Sequence, residues 1–167
     1  RSAEQGNSHG LNRIGYCYDI GHVVKSNFQE SLNYYQRAAD LGNSFAINNL
    51  GVLYLYGKRV EKNLEKAFDL FQKSASLGNS YALQNLGDMY RDGIFVKQDY
   101  AKAFENYQKS AELLDSKAFI SLGDMYAKGL GVQMDLTKAK ENYQKAKELG
   151  EPKADSLISK LPSMKKK

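Results

Sequence analysis

The sequence predicts an all-α protein, a right-handed superhelical α/α solenoid of antiparallel helix pairs, and three observations carry that prediction. Residue 7 set over residues 43, 79 and 115 aligns four copies of 36 residues without a gap. Gly15, Gly51, Gly87 and Gly123 then fall in register, as do Tyr18, Tyr54, Tyr90 and Tyr126, and the second and third copies agree at 17 of 36 positions. Within each copy, apolar residues recur at helical spacing in two stretches separated by turn residues. A helix pair this small cannot bury both of its faces alone, so stacked neighbours must supply the core.

Each copy opens with a helix A. In the second copy its stripe is Ala46, Ile47, Leu50, Leu53 and Tyr54, positions i, i+1, i+4, i+7 and i+8 of one amphipathic face. Asn43 or Ser44 suits its N-cap and Gly57 a left-handed stop. Helix B follows a short loop, introduced by Asn27, Asn63, Asp99 or Asp135, residue types that accept from orphan N-terminal amides. Its stripe in the second copy is Leu64, Ala67, Phe68, Phe71 and Ala75. Gly42, Gly78 and Gly150 end helix B, with Leu114 in that place in the third copy. Small residues at Gly51 and Ala67 predict a close crossing of the two helices.

The repeats are expected at residues 7–42, 43–78, 79–114 and 115–150. Residues 1–6, "RSAEQG", align with "RAADLG" at 37–42, so they read as the last turns of an earlier helix B, with more repeats or another domain upstream. In the fourth copy Lys140 replaces Leu32, Phe68 and Phe104, and Lys147 replaces Ala39, Ala75 and Ala111. That polar outer face suits a terminal repeat. A last capping helix is predicted over 151–162, with Pro152 in its first turn and Ala154, Ile158 and Leu161 as its stripe. A basic tail, 163–167, follows.

The third copy, "NSYALQNLGDMYRDGIFVKQDYAKAFENYQKSAE", resembles a Sel-one-like repeat, a relative of the tetratricopeptide repeat. The residues that carry the likeness are Ala82, Leu86, Gly87, Tyr90, Gly93 and Val96, then Lys102, Ala103, Tyr107, Lys109, Ser110 and Ala111, and it extends over residues 7–150. The resemblance implies a non-catalytic scaffold or adaptor acting through protein–protein contacts, with signalling among the family's settings. Some members carry a disulfide in each repeat, and the single cysteine here allows none.

Composition narrows the alternatives. No apolar run reaches the roughly 18 residues of a membrane helix, and one cysteine with two histidines leaves no disulfide framework and poor material for a closed metal site. No cofactor is expected, and a reducing cytoplasm is the expected compartment. The net charge of +5 includes +3 from residues 151–167, where five Lys face Glu151 and Asp155. A nearly neutral body speaks against nucleic acid as the main partner. The alternative function is binding of an anionic surface or nucleic acid through the tail, by Lys160 and Lys165 to Lys167.

For chemistry the sequence offers little. Cys17 occupies the column of Leu53, Met89 and Met125 and reads as a buried apolar substitute. His9 and His22 have no ligand partners at metal spacing. Asp88 and Asp124 recur because the repeat recurs, and they read as rim charges, not as a catalytic pair. No catalytic residue is assigned and no enzyme is expected. The candidate partner-binding residues are non-core positions of helix A, the helix that lines the concave groove in related solenoids: Asn12, Tyr16, Phe45, Asn48, Asn49, Val52, Tyr56, Tyr81, Gln84, Asn85, Asp88 and Arg91. Carboxamides in a row can donate to and accept from an extended peptide backbone, and rings beside them supply apolar pockets. The expected partner is a segment of another protein.

Overall fold

The computed structural model describes residues 2–22, 24–58 and 60–162, with side chains from Gly6 onward, and among them nine helices follow one another as antiparallel pairs of an α/α solenoid. They are α1 (Ser2–Ile20), α2 (Phe28–Asp40), α3 (Ser44–Tyr56), α4 (Leu64–Ser76), α5 (Ser80–Asp92), α6 (Tyr100–Glu112), α7 (Ser116–Lys128), α8 (Leu136–Glu148) and α9 (Ala154–Lys160). Residues 1–82 and 83–167 form two compact units, taken one at a time below. None of the described helices is long and apolar enough to cross a membrane.

The capping residues behave as their chemistry predicts. Asn27, Asn63, Asp99 and Asp135 accept from the backbone N–H three residues on, at Glu30, Lys66, Lys102 and Lys138. At helix A the cap is Asn43, not Ser44. Asn43 accepts from the N–H of Ala46, and Asn79 from that of Ala82. Both caps are buried, and each spends its Nδ2 on the helix A before it. Asn43 donates to Ser8 Oγ at 3.4 Å and Asn79 to Ser44 Oγ at 3.5 Å. A buried amide must be satisfied on both sides, and here that requirement ties one repeat to the next.

Helix B leaves through a left-handed residue: Gly42, Gly78 and Gly150 have φ of 80°, 79° and 84°, and Leu114 takes the same turn at 61°. A side chain in that region costs about 1–2 kcal/mol, and the exposed Leu114 has little packing to lose. Leu114→Gly is therefore expected to stabilise the chain by about 1 kcal/mol, a rise of about 3 °C in the thermal midpoint.

The residues aligned with the end of a helix B continue into the next helix, because α1 runs unbroken from Ser2 to Ile20. Ordinary helical bonds satisfy the backbone through Gly6, at a cost of about 1 kcal/mol for an interior glycine.

The glycine column packs against a ring. In the first unit a Cβ added at Gly15 would lie 2.8 Å from a ring carbon of Tyr35, and one at Gly51 2.7 Å from Phe71. In the second unit Gly87 and Gly123 sit closer still, against Tyr107 and Tyr143. The close crossing predicted from Gly51 and Ala67 is thus a flat aromatic from helix B lying on bare backbone of helix A. Ser31, Ala67, Ala103 and Ala139, one turn before each ring, are fully buried.

At the far end Lys140 and Lys147 are exposed, and Lys147 Nζ pairs with Asp155 of α9 at 2.7 Å. Ala154 is fully buried in a cluster with Ala146. The helix begins at Ala154, so Pro152 lies in the turn before it. It ends at Lys160, and Leu161 is extended because the proline that follows disfavours helix at the residue before it. Leu161 is therefore not part of the helical stripe. The basic tail, 163–167, lies outside the described residues.

Candidate functional site

In the first unit one column of α1, α3 and α5 carries a ring at each position. His9, Phe45 and Tyr81 form a row with centroid separations of 6.4 and 6.2 Å, tilted at 53° and 60°, and all three are exposed. His9 lies in the same column as the candidate residues Phe45 and Tyr81. Tyr16 and Tyr56 are also exposed, Val52 is half-buried, and Lys58 Nζ sits 5.6 Å from the Tyr56 ring centre.

The amide row is less open than its sequence suggested. Asn49 Nδ2 donates to Asn12 Oδ1 at 3.2 Å, joining α3 to α1. Asn48 is buried, so it does not line a groove. It follows Ile47, which is completely buried, and this puts its side chain at the edge of the packed face. In the second unit Gln84 Nε2 donates to Ser121 Oγ at 2.9 Å, again between helices A one repeat apart, and Asn85 is half-buried. The Asn12, Asn49 and Gln84 carboxamides join neighbouring repeats, which removes much of their capacity for a peptide backbone.

Asp88 and Asp124 have structural partners. Tyr107 donates its hydroxyl to Asp88 Oδ1 at 2.7 Å, and Tyr143 donates to Asp124 Oδ1 at 2.6 Å. Arg91 pairs with Asp88 at 2.9 Å and holds Asp92 through two bonds of 2.7 Å, which keep Asp92 below the usual carboxylate range. In the second repeat Val52 and Phe71 stand where Asp and Tyr stand here, so ring hydroxyl and carboxylate are absent together there, whereas the first repeat keeps the buried Tyr35 with Tyr16 in the aspartate column. A buried hydroxyl needs an acceptor, and a carboxylate beside a bare ring would lack its donor.

Burial is the main cause that pushes Tyr35, Tyr107 and Tyr143 well above the ordinary tyrosine range, followed by the Asp19 charge at Tyr35, the Asp88 charge at Tyr107 and the hydrogen bond to Asp124 at Tyr143. A raised folded pKa contributes stability that is complete below the unfolded value, about 10, and is lost as pH rises beyond it. Urea midpoints are therefore expected to hold up to about pH 9 and to fall from pH 10 upward.

The repeated tyrosines of the helix A stripe have a structural role too. Lys66 Nζ lies 4.0 Å from the Tyr54 ring centre and donates to its hydroxyl at 2.7 Å. Lys102 and Lys138 stand 5.3 and 5.4 Å over Tyr90 and Tyr126. Each lysine is the third residue of helix B, so the contact closes helix B onto helix A within a repeat. Cys17 is half-buried, where its column predicted burial. Among the described residues no three His, Cys, Asp or Glu side chains come together as a metal site would require.

A family model described as Sel1 repeat matches residues 8–43, 44–79, 80–113 and 118–151. Among solved structures the chain is similar to a Sel1 repeat protein from Oxalobacter formigenes, at 34% identity and a TM-score of 0.86, covering 92% of this chain and 63% of that one. It is also similar to c5321, a protective antigen present in uropathogenic Escherichia coli strains and displaying an SLR fold, at 34% identity and a TM-score of 0.78 over 89% of this chain and 32% of that one. Helicobacter pylori cysteine rich protein B matches at 28% identity and a TM-score of 0.62, over 82% of this chain and 98% of its own. The chain thus spans less than two thirds of the first two proteins. No curated protein matches it.

Proposed function

Because this chain belongs to the Sel1 repeat family, we propose that it is a non-catalytic protein-interaction module, an adaptor that holds a segment of another protein against the helix A face of residues 1–82. The observation that carries this reading is the exposed row His9, Phe45 and Tyr81. Rings at an exposed, apolar surface are the usual anchors of protein interfaces. The row stands beside an amide pair whose hydrogen bond fixes the spacing of α1 and α3, so the platform is held in place before a partner arrives. Asp88 and Asp124 support a non-catalytic role, since each holds a tyrosine hydroxyl.

A library of random linear peptides, panned against the chain, tests the assignment. Peptides retained by the intact chain are expected to be lost on a Phe45→Ala, Tyr81→Ala double variant. Both side chains are exposed, so the variant's thermal midpoint should stay within about 3 °C of the parent. Equal retention of every peptide by the variant would remove the ring row from the binding site.

A further inference from the structure

The helix A face of the first unit is apolar and carries little negative charge. α3, "SFAINNLGVLYLY", has no charged residue. On α1, from Gly6 onward, the charged residues are Arg13 and Asp19. Asp19 is half-buried, and its charge falls on the buried Tyr35 of α2. Arg13 is exposed and follows His9 by one turn on the same side of the helix. Beyond the end of α3 the exposed Lys58 stands beside the Tyr56 ring. The unit's other carboxylates from Gly6 onward, Glu30, Asp40, Glu61, Glu65 and Asp69, belong to α2, α4 and the turn before α4. In the second unit, by contrast, α5 and α7 carry Asp88, Asp92 and Asp124.

The ring row adds a hydrogen-bond donor to this surface. Asn43 Oδ1 accepts from the N–H of Ala46, so its Nδ2, a donor, is the atom 3.3 Å from His9 Nδ1. Nδ1 must therefore accept, and the imidazole carries its proton on Nε2, at the opposite edge of the ring. Exposed rings, an N–H and two cations thus share one face, and the single carboxylate of its helices from Gly6 onward is half-buried.

We infer that the segment held on this face is acidic as well as apolar, its apolar side chains on Phe45, Tyr81 and Tyr56 and its carboxylates drawn to Arg13, Lys58 and the Nε2–H of His9. The inference rests on the helix A face of the first unit being the binding site, and adds the chemistry of the partner. Opposite charges beside apolar surface attract more strongly than in bulk water. Their chief effect is on which partner binds and how fast it arrives, and a basic segment meets like charge and is disfavoured.

Labelled peptide pools of about ten residues, long enough at ~3.3 Å per residue to span the face, are the probe. Phe, Leu and Tyr fill half the positions of every pool; the rest are Asp and Glu in one, Ser and Asn in a second, Lys and Arg in a third. The acidic pool is expected to bind the chain about tenfold more tightly than the neutral pool, and the basic pool least tightly. Arg13→Gln with Lys58→Gln, both at exposed positions, should remove most of that preference while leaving the neutral pool within about twofold of its former affinity. Salt should act in the same way, weakening the acidic pool several-fold between about 0.05 and about 0.5 M sodium chloride. Equal binding of the three pools, or an acidic preference that survives Arg13→Gln with Lys58→Gln, overturns the inference; if binding is still lost on the Phe45→Ala, Tyr81→Ala variant, the ring row itself stands. Acidic peptides held equally well by that ring variant, or no binding by any pool, overturn both readings.

Discussion

Replacing Gly87 with alanine is expected to destabilise the chain by about 3 kcal/mol, lowering the thermal midpoint by about 8 °C. The new Cβ would enter the ring of Tyr107, which is completely buried and has no free rotamer to retreat into. Alanine's helix propensity would return about 1 kcal/mol, so the steric loss is larger than the net effect. Gly10→Ala is the internal control. It sits in α1 with nothing within 4 Å of the added atom, and there the propensity acts alone, for a gain of up to about 1 kcal/mol. Guanidinium unfolding of both variants checks the pair. Equal effects at the two sites would mean that the column is glycine for a reason other than the ring.

The second large effect is expected at Asp124 and Tyr143, whose hydrogen bond of 2.6 Å has no arginine beside it, since Ala127 stands where Arg91 serves Asp88. Asp124→Val should cost about 2 kcal/mol, because it leaves the Tyr143 hydroxyl buried without its acceptor, and Tyr143→Phe about 1.5 kcal/mol. The double variant recreates the pair found naturally at Val52 and Phe71. Its loss should be smaller than the sum of the singles by about 1–2 kcal/mol. Strict additivity in a double-mutant cycle would show that carboxylate and hydroxyl act independently.

The 36-residue period made the fold readable because each column repeats a packing requirement. Asn63 and Asp99 cap because a short acceptor is needed there, and Gly51 is glycine because a ring crosses it. The candidate site was harder to read. Asn12, Asn49 and Gln84 look like free solvent-facing amides in one dimension, and only their pairing across 37 positions, with each other or with Ser121, shows them committed. Asp88 looked like a rim charge because its donor, Tyr107, lies on the other helix of the pair. A partial sequence signal for that existed: the Asp–Tyr columns change together to Val52 and Phe71 in the second copy, while the first copy keeps Tyr35 with Tyr16 in the aspartate column.

The matched interior pairs have a consequence for how such a chain can gain or lose units. A deletion of one 36-residue period whose joint falls between Val52 and Phe71 would place Val52 opposite Tyr107, burying a phenol against an aliphatic chain. The same length removed with its joint after Phe71 and before Asp88 keeps each helix A with the helix B that suits it. Recombination between copies is thus phase-sensitive, and a library of shuffled variants should recover folded products whose breakpoints cluster between the pairs and not within them.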